Sequence, residues 1–66
     1  MKEIKNKDLI VGEVYADVIP VFSEATFLKY EKSDDHADYF TYVSGENSYV
    51  EEDGFIKFGK GETYFQ

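Results

Sequence analysis

Residues 38–44 read DYFTYVS, and how this stretch folds decides the architecture. Three aromatics, one Thr and one Val in seven residues give it the highest β propensity in the chain. Alternation puts Tyr39, Thr41 and Val43 on one face and Phe40 and Tyr42 on the other. Both faces are apolar. A strand here therefore has a core side and a second, outward aromatic side.

Working outward, ATFLKYEKS (25–33) has two readings. As a strand it offers Phe27 on one face and Leu28 and Tyr30 on the other. As a helix at about 23–32 it takes Ser23 as N-cap, Glu24 in the first turn, and Lys29 and Lys32 near the end. The Thr-Phe pair and the neighbouring strands favour the strand. Between these segments lies DDHAD (34–38), which holds three carboxylates and the chain's only histidine.

Downstream, GENS reads as a turn, and Asp53-Gly54 within YVEEDGFIKF is a strong hairpin signal, because both turn residues need positive φ. Ile56 and Phe58 share a face there, GKG breaks the chain, and TYF makes a short last strand. The closing ETYFQ partly matches the remnant of a common tag-removal site, with its acidic residue one position late, and is read as native. Upstream, EVYADVIPVF alternates Val14, Ala16 and Val18 with Tyr15, Asp17 and Ile19. That is a half-buried strand with the valines inside, and Pro20 marks its edge or end. Residues 1–7 are polar apart from Ile4 and read as a loose arm.

The tally is five to six short strands with turns about every ten residues. This describes an all-β domain spanning residues 1–66, a small SH3-like barrel or a strongly bent antiparallel sheet. The resemblance to SH3-like barrels is one of architecture and carries no site residues over. An α+β domain with the 23–32 helix is the alternative.

Composition excludes several chemistries. There is no cysteine and one histidine, so disulfides, thiolate zinc sites and imidazole-rich metal sites are excluded. DDHAD does not fit a calcium loop: from Asp34, positions 3, 6 and 12 are His36, Tyr39 and Gly45. His36 lacks a nucleophile set in an elbow, since Ser33 and Ser44 sit in no such motif. No cofactor, metal or catalytic residue is expected, and the chain is read as a non-enzyme, with DDHAD a solvated hairpin loop. Fourteen acidic residues against seven basic ones, none of them Arg, argue against direct nucleic-acid binding. The chain has neither an apolar run of bilayer length nor an apolar leader, so a cytoplasmic location is expected.

Two features remain that could carry function. The first is a surplus of aromatics, six Tyr and six Phe, more than a small interior holds. Tyr15, Tyr30, Tyr39 and Tyr42 are the candidates for an outward binding surface. The second is a pair of acidic clusters, Asp34, Asp35 and Asp38 with Glu51, Glu52 and Asp53, which form one patch if their loops lie together. In size, charge and lack of cysteine the chain resembles small phage proteins that inhibit host or defence enzymes. The function expected is non-catalytic protein binding: an acidic accessory or inhibitory protein on a basic partner, acting as a nucleic-acid mimic. The alternative is a structural or assembly subunit that forms homo-oligomers through exposed aromatic strands.

Overall fold

In the computed structural model, which describes residues 2–17, 25–46 and 49–66, the chain is an antiparallel β-sheet of six strands. They are β1 (Glu3–Lys5), β2 (Val14–Asp17), β3 (Thr26–Ser33), β4 (Ala37–Gly45), β5 (Ile56–Gly59) and β6 (Thr63–Phe65). A 3₁₀ turn, Asn6–Asp8, follows β1, and no α-helix occurs among the described residues. The strand order is β1-β6-β2-β3-β4-β5, and the sheet is bent but not closed.

DYFTYVS lies within β4, the longest strand. Its Asp38 and Phe40 point into the core, and Tyr39 and Thr41 lie half-buried on the other side. On β3, Thr26, Leu28 and Tyr30 face inward while Phe27 is exposed. Thr26–Ser33 is thus strand rather than helix. Ser23 and Glu24, the start of the helical alternative, lie outside the described residues, as do Val18, Ile19 and Pro20 and the Asn47–Ser48 half of the GENS turn.

The β3–β4 ladder shifts register twice, between Phe27 and Leu28 and between Tyr30 and Lys32. Each bulge adds twist and bends the strand. The bend brings Phe58 of β5 within 5.7 Å of Tyr64 of β6, although three strands stand between them in the sheet order. Phe40 sits at the centre, its ring centroid 4.9 Å from Tyr64, 5.4 Å from Tyr30 and 5.5 Å from Phe58. Ile4, Tyr15, Leu28 and Ile56 complete this cluster. The closing TYF is therefore part of the domain, with Tyr64 wholly buried.

The Asp53-Gly54 turn forms as expected. Its φ angles are 54° and 83°, and Glu52 and Phe55 exchange backbone hydrogen bonds of 2.8 and 2.9 Å. Gly45 ends β4 at φ 94°, and a Cβ there would run into the Ala25 carbonyl.

Two expectations are corrected. The arm 1–7 is not loose: Glu3–Lys5 pairs with Thr63–Phe65, and Lys2 and Gln66 exchange backbone hydrogen bonds of 2.7 and 2.8 Å. A strand this short needs only one inward side chain, and Ile4 supplies it. On β2 the valine face is not the inward one as a whole: Ala16 is buried as expected, but so is Tyr15 from the opposite face. Tyr15, paired with Leu28, is 1% exposed, and Val14 points outward. Burial of the Tyr15 ring is compatible with its polar tip because the hydroxyl oxygen accepts a 2.8 Å hydrogen bond from the Ile10 N–H.

Candidate functional site

The acidic pentad separates into three environments. Asp34 opens the β3–β4 loop and closes it on itself. Its Oδ1 accepts from the backbone N–H groups of His36 and Ala37, both at 2.8 Å, and its Oδ2 accepts from the Tyr39 hydroxyl. Three donors favour the ionised carboxylate. With the Tyr39 hydroxyl contributing most, they hold Asp34 at about 2, below its ordinary 3.8. The same bond raises the Tyr39 hydroxyl above its usual range. Asp35 and His36 are exposed at the loop tip.

Asp38 is not on the loop. It lies on β4, inner side, with no exposed surface. A carboxylate in that position needs partners. Ser33 Oγ donates to Oδ1 at 2.7 Å, Lys60 Nζ reaches the same oxygen at 3.3 Å, and the Tyr64 hydroxyl donates to Oδ2 at 3.3 Å. The Ser33 hydroxyl proton is committed to Asp38, so the Tyr30 hydroxyl is the donor in its bond to Ser33 Oγ. Burial, then the charge of Asp38, pushes the Tyr64 hydroxyl far above its usual range.

The predicted surface residues therefore divide. Tyr15 and Tyr30 are core residues and Asp38 is interior, so these three are removed from the candidate binding surface. Tyr15 and Tyr30 lie on the concave side of β2 and β3, and Asp38 is held there by its polar partners. Tyr42 is partly exposed at the far end of β4, where its hydroxyl donates to the Gly45 carbonyl at 2.8 Å. Asp34, Asp35, Glu51, Glu52 and Asp53 are exposed, and Tyr39 is half-buried.

Tyr39 joins the two acidic regions. Its hydroxyl holds Asp34 of the β3–β4 loop, and its ring meets Phe55 of the Asp53-Gly54 hairpin edge-on, 5.9 Å between centroids at 82°. Lys57, opposite Tyr39 on β5, lies 5.5 Å from that ring and pairs with Glu52 at 3.3 Å. The negative charges of Asp34 and Glu52 both act on the Tyr39 hydroxyl. Lys32 Nζ stands 4.8 Å from the Phe55 centroid and 5.1 Å from that of Tyr39. Lys32, Phe55 and Lys57 were not among the sequence candidates. The bulge after Tyr30 sets Lys32 opposite Tyr39, where an unbroken ladder would place Glu31.

Among the described residues no cluster of three or more His, Asp or Glu side chains is placed to grip a metal ion, and no pocket opens. No helix among them is long and apolar enough to cross a membrane. Comparison with known protein families, curated proteins and solved structures finds no match to this chain.

Proposed function

We propose that the protein is a non-catalytic binding module: a small acidic accessory or inhibitory protein, phage-like in type, that docks on a basic partner surface in the cytoplasm. The supporting observation is the meeting of the two acidic loops around Tyr39 on the outer side of β3, β4 and β5. A half-buried aromatic centre with a charged rim has the anatomy of a protein-binding patch. The rim carboxylates Asp35, Glu51 and Asp53 make no ion pair among the described residues and are open to lysines and arginines that otherwise bind phosphates, which is the nucleic-acid-mimic form of the reading, while Glu52 is held by Lys57. Asp34 is held within its own loop and acts by positioning Tyr39.

The test uses a lysine-rich peptide as the basic surface and calorimetry at low and high salt. Binding is expected to weaken steeply as salt rises. The triple variant Asp35→Asn, Glu51→Gln, Asp53→Asn should lose far more affinity than Glu3→Gln, Glu13→Gln, Glu62→Gln, which removes the same number of exposed charges elsewhere. Equal losses would reduce the effect to net charge and end the assignment to this face.

A second reading, self-association, is favoured by exposed Val14, Phe27 and Val43 and by the unclosed sheet. It predicts assembly that persists at high salt, read by light scattering across a dilution series.

A further inference from the structure

Lys32 is held differently from the other lysines of the sheet. Lys5 pairs with Glu3, Lys29 with Glu31, Lys57 with Glu52 and Lys60 with Asp38. Lys32 makes no ion pair among the described residues. Its ammonium instead rests in the corner where Tyr39 and Phe55 meet at 82°, within 5.1 Å of both ring centroids. An ammonium within about 6 Å of a ring centroid is attracted by the negative π face. Two nearly perpendicular rings give it two such faces at once.

The corner is also electron-rich. The Tyr39 hydroxyl donates to the Asp34 carboxylate, which pushes electron density back into the ring. Glu52 stands on the other side and neutralises Lys57. Lys32 is exposed, and rings alone hold it, so it is an occupant that can leave. The chain around it is acidic overall, with formal charge −7, and draws cations toward the face.

We infer that Tyr39 and Phe55 form an aromatic corner that receives an alkylammonium group from the partner, with Lys32 as an internal stand-in that is displaced on binding. This rests on the docking reading above and names the group recognised: a lysine-type cation, methylated or not, entering over the two rings between Asp34 and Glu52. Lys32 swings into solvent when the corner is taken, which makes it an intramolecular competitor.

The experiment is an NMR titration of the full chain with tetramethylammonium, and separately with a neutral tert-butyl compound of the same shape. The expected result is perturbation of the Tyr39 and Phe55 ring protons by the cation and little by the neutral probe. Lys32→Ala should tighten cation binding by about threefold, the equivalent of one exposed cation–π contact. Phe55→Leu should abolish it. Tyr39→Phe keeps the ring and should retain most of it, so a folding defect in one variant does not decide the outcome. Failure of the cation to move either ring, equal binding of the neutral probe, or no gain from Lys32→Ala would overturn the inference. The lysine-rich peptide separates the two levels. If that peptide still binds through the acidic rim while the small cation leaves the rings untouched, the corner is wrong and the docking face stands. If the cation binds and the peptide does not, the corner stands and docking on a basic surface is wrong.

Discussion

Asp34 and Asp38 close the two ends of one acidic pentad, and they occupy opposite settings. Asp34 is on the surface, and its partners are local: two N–H groups of its own loop and the Tyr39 hydroxyl. Asp38 is wholly enclosed, and two of its three partners, Lys60 and Tyr64, arrive from the far end of the chain. The same side chain thus performs two tasks. One shapes a turn and steadies the aromatic centre of the binding face. The other ties the last turn and the last strand to β4, across a sheet that does not close by hydrogen bonds. Local sequence chemistry is enough for the first task, whereas the second exists only once the sheet has bent.

The largest expected difference comes from deleting each carboxylate. Asp38→Ala leaves the Ser33 and Tyr64 hydroxyls without their buried acceptor and Lys60 without its counter-charge. Tyr64 is then an orphaned buried donor, while Ser33 and Lys60 are exposed and can turn to water, so the loss is about 1–3 kcal/mol. A domain of this length has about 3–10 kcal/mol in total, so the variant should be largely destabilised in urea. Asp38→Asn keeps the shape and an acceptor oxygen and should lose less. Asp34→Ala should shift the urea midpoint far less than Asp38→Ala. An Asp38→Ala protein with the wild-type midpoint would erase the distinction between the two sites.

An intermediate effect lies at alkaline pH, on the Asp38 side of the comparison. The Tyr64 hydroxyl is raised above its ordinary 10.0 by burial and by the Asp38 charge. A group whose folded pKa is raised contributes its stability fully below the unfolded value, and that contribution falls as pH climbs through and beyond it. Stability should therefore decline above about pH 10, with tyrosinate absorbance appearing together with loss of structure. Tyr49 is shifted the same way, by burial and by its bond to Asp17, so Tyr64→Phe should flatten the decline only in part. An alkaline limb unchanged in Tyr64→Phe would show that Tyr64 ionises without opening the core.

The contrast also explains what could be read from residues alone. The β4 strand and the Asp53-Gly54 hairpin were legible because propensity and positive φ are local demands. On β3 alternation separated Phe27 from Leu28 and Tyr30, but it did not say which side is inward, and Tyr30, read as a surface residue, lies inside. On β2, alternation defines two faces without saying which is inside, and the large Tyr15 ring took the core. Ile4 looked isolated because its partner strand is at the other end of the chain. The acidic loops were legible as clusters, but their meeting at Tyr39 depends on the hairpin carrying Phe55 back over β4. Lys32 joined them through a bulge, and nothing in the local pattern announces a one-residue register shift.

The smallest expected effect isolates Asp34 by acid titration. Its folded value of about 2 lies below the ordinary 3.8, through the Tyr39 hydroxyl and then the two loop N–H groups. For a depressed carboxylate the stabilising contribution is complete above the unfolded value and drains away as pH falls through the folded one. Wild type should thus lose a small part of its stability between about pH 4 and pH 2 that Asp34→Asn does not lose over the same interval. Asp34→Asn will already lack it at neutral pH, so the two stability curves should converge on acidification. The Tyr39 ring resonances report the same event, because protonated Asp34 no longer accepts as strongly from the Tyr39 hydroxyl. Curves that stay parallel from neutral pH to pH 2 would mean that the loop is held without this carboxylate. The aromatic corner would then have to owe its geometry to the Phe55 hairpin alone.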